Sequence, residues 1–236
     1  MPTQKSTENQ IELLNESAVA ASVSRRKFLG YAGVSTLFLG TLASSCKKND
    51  NNNGDGSVDL GSGDVGILNY AYALEQLEAA FYVKVVMSPY TGITAQENSY
   101  LTDVRDHEVA HREFFKAALG TSAIPALAVN FSSIDFTSRA SVLATAKAFE
   151  DLGVSAYNGA GRLLVSPDYL ALAGKIVSVE ARHAALIRDL LSDGSFADSE
   201  VIDTNGLDVL RRPADVLAIA GTYITTKINA SNLPTV

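Results

Sequence analysis

The stretches RDHEVAHREFF, residues 105–115, and SVEARHAALI, residues 178–187, each set a histidine three places after a glutamate: Glu108 with His111, and Glu180 with His183. The whole chain holds only 3 histidines. Positions i and i+3 lie on one face of a helix about one turn apart, so each pair offers a carboxylate and an imidazole to a single point. Two further glutamates complete the pattern: Glu75 in ALEQLEAAFY and Glu150 in AFEDLGVSAY, each followed seven residues later by a tyrosine, Tyr82 and Tyr157. Glu75 to Glu108 spans 33 residues and Glu150 to Glu180 spans 30, so the two halves repeat each other. One Glu from each of two helices, with Glu-x-x-His from each of two others, is a donor set for two divalent cations. Hard oxygens and two neutral imidazoles suit iron, with manganese as the other fit.

Electrostatics favours this reading over a purely structural one. All four glutamates fall among apolar neighbours on the sides expected to face a core, and burying one unpaired carboxylate costs several kcal/mol. Two divalent cations balance four carboxylates; without them, most of the carboxylates must be protonated. Tyr82 and Tyr157 are candidates for holding the ligands or for redox work, against a plain role as core aromatics. His107, next to Glu108, points some 100° away from it and is expected to be exposed. Glu113 is expected to face solvent as well. Glu78 stands three residues after Glu75, where the other half has Gly153 after Glu150. That asymmetry suggests Glu78 as an extra ligand, with Gly153 leaving room for dioxygen or peroxide.

Four helices are needed to bring these residues together. From Val65, ILNYAYALEQLEAAFYVKVV has apolar residues at helical intervals, predicting helix 1 to about Met87. The turn SPYTG follows, and Thr94 with Glu97 forms a capping-box pattern opening helix 2, which stops at Gly120. Residues 120–137 contain a Pro and no sustained helical pattern. Eighteen residues stretch to about 60 Å, enough to run the roughly 39 Å length of a 26-residue helix. Helix 3 is predicted from about Ser138 to Leu164; helix 4 opens with Ser166 as cap and Pro167 at its first position, and ends near Ser192. The fold class is therefore all-α: a four-helix bundle with short loops within each helix pair and a long crossover between helices 2 and 3.

The chain has 236 residues, 47% of them hydrophobic and 19% charged, the balance of a globular domain. Residues 1–46 read as a signal region. SRRKFLG, residues 24–30, precedes an apolar run from Phe28 to Ala43, too short to span a bilayer comfortably, and ends in small residues and Cys46. The SRRKFL stretch resembles a twin-arginine export signal, which implies the twin-arginine export machinery as a partner and passage across the membrane in a folded state. Cys46 is the only cysteine and follows Ala43-Ser44-Ser45, similar to a lipoprotein processing site. Expected here are a lipid-anchored Cys46 and a location in the periplasm or cell envelope. Residues 47–64 read as a flexible linker, residues 65–192 as the bundle, and residues 193–236 as a C-terminal extension with one short helix from Pro213 covering an end of it. From residue 47 onward 15 Lys and Arg face 23 Asp and Glu, a net charge of −8 with no basic stripe, which argues against nucleic-acid binding.

With LNYAYALEQLEAAFY, DHEVAHREFF, FEDLGVSAYNGAG and SVEARHAAL in view, residues 65–192 resemble the ferritin-like domain family, which includes the plant desiccation-related proteins and exported bacterial members. The resemblance implies a ferritin-like four-helix bundle with Glu75, Glu108, His111, Glu150, Glu180 and His183 as ligands to two metals. It implies no single reaction, because related folds serve as ferroxidases, peroxidases, manganese catalases and oxygenases. The expectation is a dimetal oxidoreductase acting on a small-molecule oxidant (peroxide or dioxygen) or on ferrous iron as metal substrate. The alternative is a non-catalytic envelope protein whose metal only stabilises the bundle. A homo-oligomer is compatible with either, although a lipid tether on every copy would crowd a closed storage shell.

Overall fold

The computed structural model describes residues 56–235, and the twin-arginine stretch and Cys46 lie outside these residues. The described elements run in the order β1 (Val58–Asp59), α1 (Gly63–Met87), α2 (Ala95–Leu119), α3 (Arg139–Gly161), α4 (Pro167–Leu191), α5 (Pro213–Ala220) and β2 (Ile228–Asn229). The first four helices form two antiparallel hairpins, α1 with α2 and α3 with α4, packed through α1 and α3. Their starts obey local chemistry. Thr94 and Glu97 exchange both bonds of a capping box, Ser138 accepts from the Ser141 backbone, and Ser166 accepts from Tyr169 ahead of Pro167. At the far end of α2, Gly120 adopts φ 54° and ψ −121°, a positive-φ conformation that glycine takes with least strain. The all-α architecture and the long crossover agree with the sequence reading.

Helix α1 is buried on every side from Gly66 to Ala79, not along one broad face. A helix in that position must be covered all round. The crossover, residues 120–137, supplies the cover and is fastened to α1 by two polar side chains. Asn69 Nδ2 donates to the carbonyls of Leu60 and Ser122, each at 3.0 Å, while its Oδ1 accepts from Ile124 N. Two turns further along, Gln76 Oε1 accepts from Leu127 N at 2.8 Å. Buried amides satisfied in this way fix the path of a loop that has no ladder of its own.

Both ends of the described chain differ from the sequence expectation of a loose linker and a terminal cover. Val58 and Leu60 are buried, and β1 pairs in parallel with β2, Val58 beside Ile228 and Asp59 beside Asn229. Helix α1 begins at Gly63, so the last residues assigned to the linker belong to the folded domain. The C-terminal extension lies along the bundle's flank. Arg211 N donates to Ser155 O at 2.9 Å, and its carbonyl passes so close to Gly159 that a side chain there would collide with it. Val216 and Ala220 of α5 are fully buried, and Ile224 bridges to Val129 of the crossover. Arg188 on α4 holds the segment after the bundle, gripping Asp151 through two nitrogens at 2.8 and 2.9 Å and reaching Asp198 and Glu200, each at 3.0 Å. None of the described helices is long and apolar enough to cross a membrane.

Candidate metal centre

Each of the four bundle helices carries part of one buried cluster: Glu75 from α1, Glu108 and His111 from α2, Glu150 from α3, Glu180 and His183 from α4. The four glutamates are fully buried, His183 is buried and His111 nearly so. Their donor atoms fall into two groups, Glu75, Glu108, His111 and Glu180 in one and Glu108, Glu150, Glu180 and His183 in the other, with the atoms of each group within 4.8 Å of one another. Glu108 and Glu180 belong to both groups, so they are placed to bridge, while Glu75 and Glu150 each serve one. The geometry nearly repeats between halves. His111 Nδ1 lies 2.7 Å from Glu180, 3.5 Å from Glu75 and 3.7 Å from Glu108. His183 Nδ1 lies 2.8 Å from Glu108, 3.5 Å from Glu150 and 3.6 Å from Glu180.

These separations are short, yet both Nδ1 atoms, both oxygens of Glu108 and Glu180, and one oxygen each of Glu75 and Glu150 are buried without a properly aligned hydrogen bond. Donors that approach without aligning on each other are arranged about shared points, as ligands are. Eight orphaned N and O atoms in one dry interior, from four carboxylates and two imidazoles, fit two divalent ions of the iron or manganese type. The buried Glu/His cluster is thus competent to bind metal.

The protonation pattern without metal shows how far the cluster is from self-sufficiency. Burial, then the charge of Glu180, raises Glu75 above its ordinary value, and the same two causes push Glu108 well above it. Burial takes Glu150 up to about 7 against the pull of His183. Glu180 alone is held below the usual range, because His111 and His183 outweigh its burial. Burial would lower both imidazoles, but the carboxylates around them win: His111, beside Glu108, Glu180 and Glu75, and His183, beside Glu108, Glu150 and Glu180, are each pushed up to about 12. Protons therefore stand in for cations and must leave when metal enters.

Tyr82 donates to Glu150 Oε1 at 2.5 Å, and Tyr157 donates to Glu75. Burial first, and the accepting carboxylate second, hold both phenols well above their ordinary value, so they remain donors. Glu113 is exposed, as expected. Glu78 is buried beside the cluster, but lies outside both donor groups. The space at Gly153 is not left for an oxygen species: a Cβ there would stand 3.0 Å from Glu78 Oε1, so the glutamate already fills it. The missing side chain in one half makes way for the extra carboxylate in the other. His107 has an exposed ring, as its helical angle implies, yet Nδ1 sits 2.9 Å from Nε2 of His183. Only the approach of α2 to α4 reveals that contact.

An antiparallel four-helix bundle with a long crossover and a dimetal-type cluster of four glutamates and two histidines defines the class. A family model described as ferritin-like domain matches residues 63–193, more than half of the chain, and the chain belongs to that family. A comparison with curated proteins finds no match.

Proposed function

We propose that this protein is an exported dimetal-carboxylate oxidoreductase, loaded with iron or manganese, that acts on peroxide or dioxygen, or on ferrous iron, in protection of the cell envelope. The observation that carries this reading is the set of orphaned ligand atoms shared between two groups through Glu108 and Glu180. Two such ions, when bound, supply one-electron redox steps to a small oxidant. The chain's own residues do the rest. Glu75 and His111 complete one position, Glu150 and His183 the other, and the full burial of the carboxylates keeps bulk water away. Tyr157 and Tyr82 hold one oxygen each of Glu75 and Glu150, which leaves the second oxygen for metal.

A small apolar cavity of about 20 Å³, lined by Leu74, Phe115, Ala160 and Tyr157 among others, lies beside the tyrosine that holds Glu75 but is lined by none of the six ligands. Twin-arginine export fits the same chemistry. Outside the cytoplasm copper and zinc compete for N/O sites, and loading before export avoids the contest.

The test is elemental analysis of protein purified from its own compartment, followed by turnover of peroxide and of ferrous iron. Two ions per chain and turnover well above that of free metal are the expected result. Turnover no faster than free metal, with a melting temperature strongly raised by the metal, would instead leave the cluster a structural role.

A further inference from the structure

We infer that His107 is a positioning residue for His183 and thereby makes the two metal positions unequal. The inference rests on the dimetal reading and extends it to the ring nitrogen facing away from the metal. His183 turns Nδ1 inward, 2.8 Å from Glu108 Oε1, and Nε2 outward, 2.9 Å from His107 Nδ1. The two rings are nearly parallel, 8° apart with centroids at 5.1 Å. An imidazole that gives its Nδ1 lone pair to a metal carries its hydrogen on Nε2. That hydrogen has one acceptor within reach, Nδ1 of His107, whose own hydrogen then sits on the solvent-facing Nε2. The bond therefore holds the His183 ring with Nδ1 turned toward the carboxylates.

Among the described residues, the outer nitrogen of His111 has no such partner. The residue before Glu108 is His107, whereas the residue before Glu180 is Val179, whose side chain accepts nothing. His111 and His183 match in their inward distances to within 0.1 Å for each corresponding carboxylate. The halves thus differ in what lies behind the histidine more than in the ligand geometry itself. Partners of this kind typically change metal affinity about 10–100-fold. The position completed by Glu150 and His183 is the one that gains.

The experiment is a stepwise titration of the metal-free mature protein with Mn(II), followed by calorimetry, and with Co(II), followed by its visible absorption. The wild type is compared with His107→Phe, which keeps a ring but removes the acceptor, and His107→Asn, whose Oδ1 can replace Nδ1. Because the ring is exposed, both variants should fold, with the metal-free His107→Phe midpoint lowered slightly by the lost bond and that of His107→Asn close to wild type. Two binding steps are expected for the wild type. Phe should weaken one of them about 10–100-fold and alter the matching Co(II) bands, and Asn should restore most of the loss. Equal weakening of both steps, no weakening, or an Asn variant no better than Phe would overturn the inference while leaving the dimetal reading standing. A wild type that binds neither ion would remove both.

Discussion

Tyr82 of α1 donates its hydroxyl to Glu150 of α3, and Tyr157 of α3 returns the bond to Glu75 of α1. Each tyrosine follows the glutamate of its own helix by seven residues but serves the glutamate of the other, so the half-repeat in the sequence becomes a crossed pair in space. Tyr82→Phe and Tyr157→Phe should each cost about 1.5–3 kcal/mol, the range for hydrogen bonds to charged groups. Tyr157→Phe should loosen the metal position that uses Glu75, and Tyr82→Phe the one that uses Glu150. Denaturant unfolding with and without Mn(II) measures both effects.

Glu78 presents the opposite situation, a carboxyl group with one oxygen buried and unsatisfied. Burial, then the charges of Glu108 and Glu180, pushes it well above its ordinary value. Glu78→Gln removes the need to hold that proton and should stabilise the metal-free protein at neutral pH. Gly153→Ala presses on the carboxyl end at 3.0 Å and should be mild, since a flexible tip can move. Thermal unfolding of both variants under chelation decides this. Destabilisation by Glu78→Gln would contradict it.

The helices and the residues of the buried Glu/His cluster are legible because their signals are local. Ser166 before Pro167, the Thr94 and Glu97 box, and the three-residue step from Glu to His each need only a few neighbouring residues. What escaped depends on distant chain. The strands Val58–Asp59 and Ile228–Asn229 are two residues long, and nothing in either predicts the other. Asn69 and Gln76 are polar positions within α1, and only the crossover lying against them makes them fasteners. The angle of His107 on α2 predicts its exposure but carries no information about the ring on α4. The gap at Gly153 shows in the sequence, but its occupant does not, because the reach of Glu78 between helices is a tertiary quantity.

Stability and metal affinity should respond to pH in opposite directions. A group whose folded pKa is raised favours folding fully below its unfolded value and loses that contribution as pH rises through the folded one. Glu150 covers the interval from 4.5 to about 7, and His111 and His183 cover 6.5 to about 12. Glu180 is shifted the other way, so its contribution is lost only on acidification below its ordinary 4.5. The metal-free protein should therefore melt at lower temperature as pH climbs from mildly acidic through neutral. Metal affinity should rise over the same range, because Nδ1 of each histidine must shed a proton to bind. Calorimetric melting under chelation and Mn(II) titration across that range check the two halves separately.

Arg188 is 2% exposed, and its best partner, Asp151, is largely sheltered, whereas Glu200 is mostly in solvent. Arg188→Ala should accordingly cost about 3 kcal/mol, because it strands a sheltered carboxylate and empties a buried site. Glu200→Ala, an exposed contact, should cost far less. Comparable losses for the two variants in denaturant unfolding would show that the network is valued differently from what its burial implies.

The proposed lipid anchor and export signal predict that Cys46→Ala moves the protein from the membrane fraction to the soluble fraction, and that replacing Arg25 and Arg26 together by Lys leaves unexported precursor behind. Fractionation followed by immunoblotting reads both.

The pairing of Val58 with Ile228 has a topological consequence. It brings the opening and closing segments of the folded chain to one corner, so the backbone path is almost a ring. Cutting that ring in the turn between α1 and α2, and splicing the old ends with a short linker, would leave every helix its neighbours and the cluster its donors. The sequence order of the four helices is thus incidental to the site; what the site requires is that the circle stay closed.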